Sequence, residues 1–213
     1  MNHPNVAKVL DGGAIEAGRP FFVMELVTGR PITEFCDHQK LDTHERLQLF
    51  ITICQAVQHA HQKGLIHRDI KPSNLLVEMH DVTPIPKVID FGVAKAIGQD
   101  LVDNLFHTDV GQIIGTPLYM SPEQATQSSI DIDTRSDVYS LGVVLYEILT
   151  GRTPFESETL RSVGVDEMRR MICEVDPPRP SKRVSTLDAK SLSTVSNCRQ
   201  IDPRKYCQRL RAS

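Results

Sequence analysis

The sequence predicts an α+β fold in which a few short strands precede a mostly helical body. Three observations predict it. Strand-like runs at 6–10 and 20–27 come first. Two long segments, at about 43–63 and 136–150, carry apolar residues at helical spacing. Between them a polar stretch at 68–74 is bracketed by short apolar runs.

Each element has a local cause. Phe21-Phe22-Val23-Met24-Glu25-Leu26-Val27 is rich in strand formers and bounded by Pro20 and Gly29, and Asp11-Gly12-Gly13 reads as the hairpin turn before it. Residues 31–38 read as a short helix. The helix at 43–63 has Asp42 as its cap with Glu45 three positions on, places Leu47, Phe50, Ile51, Cys54, Val57 and His61 on one face, and stops at Gly64. Leu65-Ile66-His67, Leu75-Leu76-Val77 and Lys87-Val88-Ile89 read as short strands, with Pro84 and Pro86 in the connection between the last two. Residues 93–120 show no clear periodicity, the pattern of a long loop that is either functional or disordered. Thr134-Arg135-Ser136-Asp137 reads as a capping box for an almost wholly apolar helix, which belongs in a core. Gly151 and Pro154 end it, and a further helix fits 166–175. The Ser/Thr-rich tail after Pro177, Pro178 and Pro180 has no assignable pattern.

Bulk composition narrows the class. The chain has 213 residues, 24% charged and 40% hydrophobic, with net charge −3. That balance gives no reason to expect nucleic-acid binding. Five cysteines without C-x-x-C spacing point to reduced thiols in a cytoplasmic setting, not to a disulfide framework or a zinc site. No apolar run reaches the roughly 18 residues that would span a bilayer, although a parent protein could be anchored outside this chain.

The chemistry sits in two short motifs. His67-Arg68-Asp69-Ile70-Lys71-Pro72-Ser73-Asn74 is followed by Asp90-Phe91-Gly92, so Asp69 precedes Asn74 by five positions and Asp90 by 21. A carboxylate is ionised at neutral pH and can align an incoming hydroxyl. An amide and a second carboxylate supply the hard oxygens that Mg²⁺ prefers, and a lysine can sit beside a transferring phosphoryl group. Taken singly, each has an ordinary alternative: a loop-turning Asp, an Asx turn, a strand-end cap, a solvated lysine.

With Gly115-Thr116-Pro117-Leu118-Tyr119-Met120-Ser121-Pro122-Glu123 and Asp137-Val138-Tyr139-Ser140-Leu141-Gly142, these motifs, in this order, resemble the eukaryotic-like serine/threonine protein kinases, bacterial members in particular. The resemblance implies a protein-kinase-like α+β fold. Residues 1–27 would be a remnant of the small lobe with the hinge strand, 28–185 the large lobe, and 186–213 a poorly assigned tail. Within the large lobe, 67–74 would be the catalytic loop and 90–123 the activation segment.

It also implies roles. Asp69 would be the base and Lys71 its charged neighbour, with Asn74 and Asp90 holding Mg²⁺. Met24 would be the gatekeeper, Glu25 and Val27 would bond the adenine of ATP through their backbone, and Leu76 would floor the ring. Arg68 would pair with a phosphorylated Thr108, and Thr116 would touch Asp69 and Lys71. His67 would be structural, packed near Phe91 and bonded to backbone, with Val9 in the same internal column. The partner would be a protein substrate offering a Ser or Thr hydroxyl.

Family parts are also missing. No G-x-G-x-x-G loop or V-A-I-K strand occurs, His3-Pro4-Asn5-Val6 resembles the turn after the helix whose Glu pairs with that Lys, and the tail offers no evident arginine for Glu123. The chain is therefore expected to be a kinase domain cut at both ends, with exposed apolar strand surface and little activity alone. The alternative is a catalytically silent kinase-like binding or regulatory module. A small-molecule kinase of the aminoglycoside or choline type would lack the segment 115–123.

Overall fold

The computed structural model describes residues 2–15, 20–91, 117–126 and 132–212. Strands β1 (Val9–Ala14) and β2 (Pro20–Met24) form an antiparallel pair, and β3 (Arg30–Pro31), β4 (Leu75–His80) and β5 (Thr83–Val88) form a second sheet in the order β3-β4-β5. Helices α1 (Ile32–His38) and α2 (Thr43–His61) come before the β4–β5 hairpin. After it lie α3 (Pro122–Ala125), α4 (Thr134–Thr150), α5 (Ser157–Ser162) and α6 (Val165–Glu174). The C-terminal helices are α7 (Pro180–Ser185), α8 (Ala189–Cys198) and α9 (Pro203–Ala212).

The first strand is displaced from its expected place. β1 runs straight through Asp11-Gly12-Gly13, which pairs with Val23, Phe22 and Phe21 instead of turning. The glycines serve the aromatic rings: a Cβ on Gly13 would come within 3.0 Å of the Phe21 ring. Ahead of β1, Val6 makes a parallel bridge to Val88, and Ala7 N–H donates to Val88 O at 2.9 Å. Val6 is therefore buried, whereas Val9 is 54% exposed and takes no part in an internal column. β2 ends at Met24, so residues 25–27 are not strand.

Helix α2 begins with the Asp42–Glu45 capping box that its sequence announces. Its buried face is turned from the expected one. Leu49, Phe50, Ile53, Ala56, Val57 and Ala60 are buried together with Arg46, while Ile51 is 45% exposed. Arg46 satisfies its guanidinium on four main-chain carbonyls, those of Leu41, Cys36, Ile148 and Cys198. Leu49, Ile53 and Val57 each contribute about 1.5–3 kcal/mol by burial. They meet Ile32, Phe35, Leu75, Val77, Leu141, Val144 and Ile148 in the main core.

Three further expectations are corrected. Pro84 and Pro86 lie inside β5, which is tolerated because β5 is an edge strand. Residues 65–67 form no strand, because the backbone N–H of His67 goes to a side chain instead of a neighbouring strand. Asp133, not Thr134, caps α4, accepting from Arg135 N–H at 2.7 Å. The tail that shows no pattern in sequence is helical, held by Tyr206, whose hydroxyl donates to Leu149 O, and by Val184 and Val195. Arg199 is buried there as well, donating to Ile148 O at 2.7 Å and to Leu149 O at 2.7 Å.

Candidate active site

Gly64, at φ 71°, ends α2 in the left-handed conformation that a helix C-terminus favours. The chain beyond it is irregular, so its backbone polar groups need side-chain partners. Asp137, in the first turn of α4 and 1% exposed, supplies them. Its carboxylate accepts from His67 N–H at 2.8 Å, from Arg68 N–H at 2.8 Å and from His61 Nε2 at 2.7 Å. A carboxylate near a helix N-terminus is also favoured by the helix dipole.

His67 is locked on three sides. Its ring lies 4.7 Å from that of Phe91, Nε2 donates to Ile89 O at 2.9 Å, and Nδ1 accepts from Asp69 N–H at 3.3 Å. Those partners place the proton on Nε2. Burial holds its pKa below the ordinary imidazole value. The ring is a structural post, as the sequence reading has it.

Asp69, Lys71 and Asn74 are brought together. Lys71 Nζ lies 2.8 Å from Asp69 Oδ2. Asn74 Nδ2 donates to Asp69 O at 2.8 Å and to Oδ2 at 3.1 Å. That turns the amide oxygen of Asn74 away from Asp69. The Asp69 side chain is 57% exposed, and both of these contacts fall on Oδ2; among the described residues nothing bonds Oδ1. The 3-10 turn Pro72–Asn74 presents the buried Asn74.

Asp90 follows Ile89, whose N–H donates to Asn74 O at 3.0 Å while its carbonyl receives His67. Asp90 itself is exposed, at φ 61°. Like Arg68 at φ 68°, it occupies a conformation that costs a non-glycine residue about 1–3 kcal/mol unless its surroundings hold it. Among the described residues the Arg68 guanidinium makes no ion pair or hydrogen bond.

The residues read as contacting adenine lie along the passage from β2 to β3. Met24 pairs with Val9, and Glu25 N–H donates to Lys8 O at 2.9 Å. The Glu25 carboxylate pairs with Lys87 of β5 and accepts from Lys8 N–H at 3.2 Å. The Glu25 carbonyl and the Val27 N–H have no backbone partner among the described residues. Leu76 is half-buried and points to the sheet face opposite Leu75 and Val77, which enter the core. Thr108 and Thr116 lie outside the described residues.

The segment after them docks on α4 and on the loop. Tyr119 OH donates to Glu147 Oε2 at 2.6 Å, and burial raises both of their pKa values. Ser140 Oγ donates to Tyr119 O at 2.7 Å. Glu123 accepts from Ser136 Oγ. Gln124 Nε2 donates to Arg68 O at 2.6 Å. The sequence reading has Asp137 only as the closing acid of a capping box, whereas its carboxylate serves the loop, and it gives Gln124 no role. The usable signal was an isolated acid on an otherwise apolar helix face, since a buried acid needs partners.

A model of the protein kinase domain matches residues 1–211. The chain is 41% identical over 212 residues to serine/threonine-protein kinase PknB of Mycobacterium tuberculosis, covering 98% of this chain and 32% of that protein. It is 38% identical over 185 residues to serine/threonine-protein kinase pkn3 of Myxococcus xanthus, covering 86% of this chain and 32% of the relative. The chain thus spans about a third of the length of the curated relatives it matches. In fold it is similar to the kinase domain of Mycobacterium tuberculosis PknI, with a TM-score of 0.60 at 21% identity over 100% of this chain and 73% of that one. It is also similar to Rad53 in complex with AMP-PNP, with a TM-score of 0.61 at 23% identity over 96% of this chain and 48% of the other. No helix among the described residues is long and apolar enough to cross a membrane. With this fold, and with Asp69, Lys71 and Asn74 gathered beside the Asp90 turn, the chain belongs to the protein kinase domain family.

Proposed function

We propose that this chain is the catalytic domain of a serine/threonine protein kinase, moving the γ-phosphoryl group of ATP onto a Ser or Thr hydroxyl of a protein substrate. One observation carries the reading. Asp69 is anchored through Oδ2 by Lys71 and Asn74, and among the described residues nothing bonds Oδ1. An acceptor hydroxyl can bond that oxygen, which orients the nucleophile and takes its proton as the new O–P bond forms and the bond from the γ-phosphorus to the leaving ADP breaks. Lys71 places positive charge beside the transferring group.

The donor set fits Mg²⁺. Among the described residues no cluster of three or more His, Cys, Asp or Glu could hold a metal by itself. A magnesium ion needs only one or two protein oxygens when phosphates and waters supply the rest. Asn74 Oδ1 and the exposed Asp90 carboxylate are the oxygens to hold it. Bound there, it would neutralise phosphate charge.

The Glu25 carbonyl and Val27 N–H, without a backbone partner among the described residues, support an adenine edge on that stretch, with Met24 behind it and Leu76 below. Arg68 carries a guanidinium available to a phosphate, which supports regulation through Thr108. Thr108 and Thr116 enter this reading on the sequence resemblance. The lobe boundaries near residues 27 and 185 do so too.

The test is phosphate transfer from MgATP to mixed Ser-, Thr- and Tyr-containing acceptor peptides by the full-length protein carrying this chain. We expect transfer to Ser and Thr, reduced about 10²–10⁴-fold in Asp69→Asn with the melting temperature unchanged. Equal rates in the variant would sink the reading. MgATP binding without transfer would favour the silent module.

A further inference from the structure

We infer that Gln124 is a positioning residue that orients Asp69 by clamping the peptide unit between Arg68 and Asp69. The inference rests on the kinase reading for its effect on turnover, but its geometry stands alone. That peptide unit is held at both ends. Its carbonyl, Arg68 O, receives Gln124 Nε2 at 2.6 Å, and its N–H, on Asp69, donates to His67 Nδ1 at 3.3 Å. Arg68 has a left-handed backbone at φ 68°, so the loop is biased to relax unless such contacts oppose it. Rotating the 68–69 peptide would break both bonds and swing the Asp69 side chain away from Lys71 and Asn74.

The other end of the amide fixes which atom faces the loop. Gln124 Oε1 accepts from Ser121 N–H at 3.1 Å and from Ser121 Oγ at 3.1 Å. The oxygen is thereby assigned to the α3 cap and the nitrogen to Arg68. Ser121 and Ala125 are fully buried, and Ala125 packs with Leu160, Met168 and Ile172. Gln124 therefore reaches the loop from an anchored base, and α3 and the catalytic loop are coupled through one side chain.

This arrangement separates two roles. Glu at 124 would keep the oxygen that caps α3, since a Ser-x-x-Glu box is as good as Ser-x-x-Gln. It would also set a carboxylate against the Arg68 carbonyl, where no donor remains. A residue that only caps a helix tolerates Gln124→Glu, and a residue that positions Asp69 does not.

The experiment uses the full-length protein with Gln124→Glu, Gln124→Ala and, in parallel, Asp69→Asn. Amide hydrogen exchange reads peptides spanning 66–70 and 122–126 without needing activity. Steady-state kinetics with MgATP and an acceptor peptide read kcat and KM. Both Gln124 variants should raise exchange across 66–70 about tenfold. Both should lower kcat about 10–100-fold with the KM for ATP unchanged, since misplacing a reacting group by about 1 Å can cost 10²-fold. Gln124→Glu should leave exchange at 122–126 as in wild type. Wild-type exchange and kcat in Gln124→Glu would overturn the inference, whatever Gln124→Ala does to folding. Undiminished transfer by Asp69→Asn would instead overturn the kinase reading and leave the exchange result to decide the clamp.

Discussion

The catalytic loop and the β1–β2 hairpin contrast in how they are held. The loop has no regular structure beyond one 3-10 turn and includes a non-glycine residue at positive φ, yet its polar groups are tied to Asp137, Gln124, Asn74 and Ile89. The hairpin is a regular ladder, yet Val9, Leu10, Phe21 and Val23 are 54%, 64%, 43% and 43% exposed. It joins the rest chiefly through Ala7, Asn5 and the Glu25–Lys87 pair. The loop is thus held by polar contacts reaching it from α3 and α4, and not by the regularity of its backbone.

The largest expected effect removes the anchor of the loop. Asp137→Ala leaves the His67 and Arg68 N–H groups without an acceptor, at about 1–3 kcal/mol each, so about 2–6 kcal/mol in total. Urea unfolding followed by far-UV circular dichroism measures it. A loss below about 1 kcal/mol would mean that the loop is held by something else.

This anchor also marks the limit of what could be read in advance. The start of α2, the glycine stops after α2 and α4 and the motif order are visible in sequence because caps, glycines and periodicity act within a few residues. Asp42, Gly64 and Gly151 do what their types dictate, the two glycines at φ 71° and 73°. The cluster of Asp69, Lys71 and Asn74 is legible too, because it spans one turn. Arg46 is not: it counts as polar in any pattern, and two of the carbonyls that satisfy it, those of Ile148 and Cys198, are 102 and 152 positions away. Asp137 meets its partners 69 to 76 positions away. The tail helices escape for the same reason, since Tyr206 and Arg199 find their acceptors at Leu149 and Ile148.

The next prediction falls between the two regions. Gly29 passes so close to β4 that a Cβ there would lie 2.8 Å from the backbone carbonyl group of Val77. Backbone cannot step aside as a side-chain tip can, so Gly29→Ala should cost about 1–3 kcal/mol. The same urea measurement applies. A neutral result would show that the crossing is as loosely held as the hairpin before it.

The contrast has a pH signature as well. Burial lowers the His67 pKa, so below about pH 6.5 the unfolded chain takes up a proton that the folded one resists. The unfolded state then binds more protons, and stability is full above that pH and declines beneath it. Urea midpoints between pH 8 and pH 5.5 should fall in wild type and fall less in His67→Gln. His3 is shifted downward too, by burial and by His59, and persists in both proteins, so the difference in slope isolates His67. Parallel slopes would detach the loop from this titration.

The smallest effect belongs to the hairpin side. Leu26, just past β2, is 85% exposed, and Leu10 of β1 is 64% exposed. Neither buries enough area for its loss to matter in the folded monomer, so Leu26→Ser and Leu10→Ser should each stay within about 0.5 kcal/mol of wild type. Their effect should instead appear in light scattering, as a higher onset temperature of aggregation, because each removes apolar surface from an exposed patch. A cost above about 1.5 kcal/mol would show that this face is covered when the protein is folded. The hairpin would then be held by side-chain burial, as the core is, and its difference from the loop would vanish.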